Sequence, residues 1–161
     1  MMRLRLLSFT LFLSMFFTAQ AWAAATLTLH GKLINLTCKI GNDQPIDIDF
    51  GDEVVVDLLD GQRYQHDVPL QITCNNDYKG ELNFTVSGIA SFEDSVIETT
   101  IPDLGIRFLD ASSNKPIEIN KAYPYKNNDN VDLIVVPVKA PNAKLTGGDF
   151  NASAQLLVEP Q

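Results

Sequence analysis

From residue 24 onward the chain is written in short runs of alternating apolar and polar residues, and no stretch carries a helical apolar period of any length. A period of two places successive side chains on opposite faces, so each run predicts a half-buried strand. The runs occupy residues 26–38, 45–50, 54–58, 68–74, 81–87, 104–109, 116–119, 131–138 and 150–158. Turn signals separate them: Gly41-Asn42-Asp43, Asp60-Gly61, Asn75-Asn76-Asp77, Ser112-Ser113-Asn114, residues 127–130 and Gly147-Gly148. Strands at this spacing predict an all-β sandwich in one domain, with no internal repeat, low-complexity tract or linker.

The first 23 residues are of another kind. Arg3 and Arg5, an apolar run over residues 6–17, and Ala21 and Ala23 around Trp22 read as a secretory signal peptide cleaved after Ala23. A membrane anchor is the competing reading, but the run is short and closes on an A-x-A site. No later apolar stretch is long enough to span a bilayer. Cleavage leaves 20 acidic against 10 basic residues, a net charge of −10. Nucleic acid and anionic lipid are poor partners for such a surface.

Cys38 and Cys74, the two cysteines, both lie in the exported portion, where a disulfide is the default state. With His30 and His66 they make a poor zinc set, and a catalytic cysteine pair would sit closer together. Other tempting patterns fail as well. Asp47, Asp49 and Asp52 resemble a calcium cluster, but alternation turns Asp47 and Asp49 toward solvent. Residues 127–132 (NNDNVD) lack the glycine and closing glutamate of a calcium loop. Neither histidine has a nucleophile partner. The Asn-x-Ser/Thr triplets at Asn35, Asn83 and Asn151 fall in expected strands. No catalytic constellation and no cofactor or small-molecule site emerges.

Two ends of the chain pose one question. Residues 150–158 alternate as a core strand, with Phe150, Ala152, Ala154, Leu156 and Val158 inward and Leu157 as the one outward apolar exception. A strand of that kind needs a neighbour on each side, and the main runs number six where an immunoglobulin-type sandwich takes about seven. The expected result is a sandwich lacking its last strand, with a core groove and an unpaired edge. At the other end, ATLTLHGKLINLTC places Leu27, Leu29, Gly31 and Leu33 on one face ahead of the first strand. This surplus half-strand leads directly into strand one, so it is poorly placed to reach its own groove. It suits the groove of another subunit, the arrangement called donor-strand complementation. The bland alternative is that it lengthens the first strand of a closed sandwich.

Taken in order, these features resemble the pilin subunits of chaperone–usher fimbriae, of the type 1 and P pilus kind. The resemblance covers the whole mature chain. It rests on the alternating extension with its inward Gly31, on Cys38 and Cys74, on Asp49-Phe50-Gly51, on L-G-I-x-[FL] at residues 104–108, and on a terminal strand headed by Gly148. Residues 136–156 look most like the minor tip subunits, the adaptor pilins.

The resemblance implies a signal peptide at 1–23, a donor segment at 24–34 and a pilin domain at 35–161. It implies an incomplete immunoglobulin-like fold and export through the periplasm to a surface fimbrium. The implied partners are neighbouring pilin subunits, a periplasmic chaperone that grips the strand from Gly148 through Phe150, Ala152, Ala154, Leu156 and Val158, and an outer-membrane usher. One departure is plain: the family usually has tyrosine where this chain has Pro160, which lacks an N–H and weakens the last rung of chaperone pairing. A major rod subunit and a terminator remain open beside the tip adaptor. An adhesin would need an additional lectin domain, an exported enzyme a nucleophile or metal set, and an assembly chaperone two domains.

Overall fold

The computed structural model describes residues 25–41, 44–68, 70–75, 78, 80–126 and 131–161. The signal segment 1–23, the Asn42-Asp43 and Asn76-Asp77 turn positions and residues 127–130 lie outside them. Two units result, one ending at Leu33 and one spanning Ile34–Gln161. In the first, residues 25–33 form no strand, and Leu27, Leu29 and Leu33 are exposed (79%, 82% and 100%).

Among the described residues the second unit has nine antiparallel strands: β1 Cys38–Ile40, β2 His66–Val68, β3 Ile72–Cys74, β4 Leu82–Ser87, β5 Val96–Glu98, β6 Leu104–Asp110, β7 Ala122–Tyr125, β8 Leu133–Lys139 and β9 Gln155–Pro160. They form a two-stranded sheet β1-β3, a four-stranded sheet β2-β8-β6-β5 and a three-stranded sheet β7-β4-β9. The main core lies between the larger sheets, where Leu82, Phe84 and Val86 of β4 meet Ile106, Phe108, Leu133 and Val135. A smaller cluster of Val96, Leu109, Val136 and Val138 gathers buried side chains of β5, β6 and β8 separately from it.

Several expected strands change shape. Residues 68–74 split between two sheets: Val68 closes β2 on β8, while Ile72–Cys74 turns to pair with β1. Residues 56–58 form a 3-10 turn instead of a strand, with the Leu58 N–H on the Val55 carbonyl at 3.0 Å. Of residues 116–119, only Pro116 bridges, to Leu109. Of the long run 26–38, Cys38 alone is in a strand, and it opens that strand. Residues 45–50 keep their alternation, whereas in 150–154 Phe150 alone is half-buried, and neither run forms a ladder among the described residues.

Candidate functional site

Those two unladdered runs face each other across a groove. Ile46, Ile48 and Phe50 line one wall, and Phe150, Ala152, Ala154 and Leu156 the other. The floor is Ile97, Ile106, Phe108 and Val135. The alternation of the first wall is real: Ile46, Ile48 and Phe50 are half-buried, while Asp47 and Asp49 are exposed. Asp49 turns its carboxylate to the Gly51 N–H at 2.8 Å, and among the described residues no group of acidic or histidine side chains is placed to hold a metal. The opening measures about 520 Å³, whereas a packed interior leaves few voids larger than one water.

The floor explains why the gap matters. Ile97, Ile106, Phe108 and Val135 are each no more than 6% exposed, so the floor belongs to the main core and the surface open to solvent comes from the walls. On the second wall Ala152 and Ala154 are exposed despite their inward parity, while Leu156 and Val158 are half-buried on the core. Asn151 is tied on its far side, its N–H to the Thr100 hydroxyl and its carbonyl to the Thr100 N–H, both at 3.0 Å. Gly148 heads this wall, where a Cβ would meet Ile101 Cδ1 at an ordinary 3.9 Å. At the other wall Phe50 packs against Phe150, ring centroids 5.9 Å apart, and its other neighbour is the edge-on His66 ring at 5.2 Å. The two walls therefore touch at one end of the groove.

The first wall hangs from a covalent staple. Cys38 and Cys74 are directly opposite each other in the β1–β3 ladder and are bonded, across 36 residues of sequence. With only three residue pairs in that sheet, the bond holds the strand from which residues 44–50 depart.

The edge beside the second wall is equally defined. β9 pairs with β4 from Leu82↔Pro160 to Ser87↔Gln155 and, among the described residues, with no other strand. The Gln161 N–H donates to the Glu81 carbonyl at 3.0 Å. Antiparallel ladders alternate bonded and non-bonded pairs. The odd-numbered residues of β9 therefore bond to β4, and the backbone of Leu156, Val158 and Pro160 faces the free edge. Sequence reasoning expected this wall with Phe150, Ala152, Ala154, Leu156 and Val158 inward; Phe150, Leu156 and Val158 are half-buried, and Ala152 and Ala154 are exposed. It missed the floor positions of β5 and the Thr100 anchor, since Val96–Glu98 has no alternation and Thr100 no motif.

An immunoglobulin-like sandwich with a groove along its last strand and an unpaired edge beside it defines the pilin class of subunit. Comparison with known proteins agrees. The fimbrial protein family model matches residues 26–161, and the chain belongs to that family. It is 32% identical to the uncharacterized fimbrial-like protein YfcQ of Escherichia coli K12 over 93% of this chain and 98% of that protein. It is 32% identical to the fimbrial-like YfcR of the same strain over 77% and 73%. Against the putative minor fimbrial subunit PmfE of Proteus mirabilis HI4320 it is 31% identical over 76% of this chain and 39% of PmfE. In fold it is similar to the P pilus rod subunit PapA (TM-score 0.59, 22% identity, 77% of this chain and 99% of PapA). The P pilus adaptor subunit PapF is similar too (0.53, 23%, 77% and 95%).

Proposed function

We propose that this fimbrial subunit polymerises by donor-strand exchange, its segment 24–34 entering the groove of a neighbouring pilin while its own groove receives the corresponding segment of another. The observation that carries the reading is the groove itself: an alternating wall at 45–50 and a second wall whose residues 150–154 have no ladder, over a buried apolar floor. The dimensions are compatible. Residues 25, 27, 29, 31 and 33 offer five alternate positions, and residues 150, 152, 154, 156 and 158 offer five, each set spanning roughly 27 Å of strand. Burying three leucines would contribute roughly 1.5 to 3 kcal/mol apiece, with ladder bonds in addition. Head-to-tail pairing of this kind is open-ended and builds a filament.

Until assembly, a strand of a periplasmic chaperone occupies the same groove, and an outer-membrane usher passes the subunit to the surface. The signal segment 1–23 supports this route. The likeness to a minor fimbrial subunit supports a place near the tip, as an adaptor. An accessible groove supports a subunit that accepts a neighbour rather than one that ends the fibre. The role is structural, with no chemistry asked of the groove.

Gly31 is the sharpest test. A Cβ built on it meets no atom within 4 Å among the described residues, so none of them requires glycine there, between Leu29 and Leu33 on the same face. The requirement then falls on the acceptor, where backbone or floor approaches closely. Strand exchange in vitro measures this: a chaperone-capped acceptor is mixed with peptides spanning residues 24–34. The wild-type peptide is expected to displace the chaperone, Gly31→Leu to fail, and the outward Thr28→Leu to behave as wild type. Equal rates for all three would refute the segment or its register.

A further inference from the structure

The free edge of β9 does not offer the same backbone along its length. Leu156 and Val158 each present an outward N–H, but Pro160, the next residue of that parity, has none to present. Proline at 160 leaves the sheet itself whole, because the bond to β4 beyond it is made by Gln161, whose N–H reaches the Glu81 carbonyl at 3.0 Å. The Gln161 side chain adds a second tie, Nε2 to Asn83 Oδ1 at 3.0 Å. At 159 or 161 a proline would instead remove a β4 bond. The other prolines within strands obey the same rule. Pro124 lies on β7, an edge strand, and Pro137 lies on β8 beyond Val135, where the pairing with β2 has ended.

We propose that Pro160 is a stop on the acceptor edge: the residue that fixes where the ladder of an incoming pilin strand ends, and that blunts this edge while the groove is empty. The proposal rests on the groove receiving a strand, with the 24–34 segment of another subunit as occupant. That occupant finds outward donors at Leu156 and Val158 and none beyond. Sliding two residues toward Gln161 therefore gains the Pro160 carbonyl as an acceptor but no donor to match it, and sliding one residue turns its leucines to solvent. Register is set by the loss of a donor as much as by side-chain fit. In the empty subunit the same loss shortens the edge available to stray strands, a use of proline found on exposed sheet edges.

The test is Pro160→Ala in the full mature chain, which restores the outward N–H with little change of side chain. Both chains are diluted from urea with a fluorescent peptide of residues 24–34, and peptide release is followed after a chase. One added ladder bond predicts release slower by about two- to tenfold from the variant. Without peptide, the variant is expected to aggregate at least about twofold faster on dilution. Equal release from both chains would overturn the stop while leaving the groove reading intact. If neither chain binds peptide but the variant still aggregates faster, the donor-segment reading falls and the proline keeps its role. If neither chain binds peptide and both aggregate alike, both proposals fail.

Discussion

β8 and the run 150–158 are both apolar, core-directed strands, yet they meet opposite fates. β8 lies between β6 and β2, and its side chains enter both the main core and the smaller cluster, with Val136 fully buried. The run 150–158 pairs with one strand over its second half and, among the described residues, with none over its first, and Ala152 and Ala154 stay exposed. The difference teaches that alternation records the surface a strand is built to lose to water, whether or not its own chain does the covering. Everything β8 needs is within the molecule; under the proposed function, what 150–154 needs comes from another subunit.

The largest expected effect closes the gap between these regions. A copy of residues 24–34 appended after Gln161 through a short flexible linker should raise unfolding stability by about 5 kcal/mol or more. The unmodified mature chain is expected to aggregate or unfold readily. Urea denaturation of the two chains side by side checks this. If the unmodified chain unfolds cooperatively as a monomer at a similar midpoint, the comparison with β8 loses its meaning.

Leu82→Ala probes the complete side. Leu82 is fully buried in β4, and its truncation should cost about 2–5 kcal/mol. That cost is expected to be the same in the bare and the strand-appended chain, since the packing around Leu82 is supplied internally. A cost that appears only in the appended chain would place Leu82 in the open half.

Removing the staple sharpens the contrast from the other wall. Cys38→Ala with Cys74→Ala should cost roughly 3 to 4 kcal/mol for a loop of this size. The loss is expected to fall on residues 44–50 before the β6–β8 ladder, so hydrogen exchange should rise first along the groove wall. Uniform acceleration across β8 as well would show that the wall is not separately held.

The smallest effect belongs to the turn after β6. The Ser112 and Ser113 hydroxyls, both 2.7 Å from Asp110 Oδ1, hold that carboxyl below its usual pKa. A folded pKa below the unfolded one means the contribution is in place above roughly pH 4 and is lost as acid protonates the group. Asp110→Asn should therefore cost less than about 1 kcal/mol at neutral pH. The gap from wild type is expected to narrow at pH 3 in urea melts.

Much of this was legible from residues alone, and the failures have physical causes. β4, β6 and β8 sit where their apolar runs predict, because each carries enough inward side chains to fix its face. β5 has two consecutive buried residues and no period, and β7 reads A-Y-P-Y, where proline signals a break yet is tolerated on an edge strand. The apolar run 54–58 carries no cue that it curls into a 3-10 turn. In the groove an unpaired edge was expected, but that Ala152 and Ala154 would be exposed and that 150–154 would form no ladder could not be read. Pairing depends on a neighbour, and the pattern is the same with or without one. The meaning of Pro160 was half visible: its missing N–H is in the sequence, and the side of β9 it faces is known only from the Gln161–Glu81 bond.

The bond between Cys38 and Cys74 has a mechanical consequence. Under the proposed function, tension in a fibre enters each subunit through the segment before Ile34 and reaches β1 a few residues later. Hydrogen bonds loaded at the end of a three-residue strand would break in succession, like a zipper. Here the first residue of β1 is the bonded cysteine, with its partner at the last residue of β3. The pull is transferred to a second strand by a covalent link before it can open the first rung. The subunit is thus loaded as a clamped plate and not as a peeled tape, and a reducing environment would remove that clamp together with its contribution to stability.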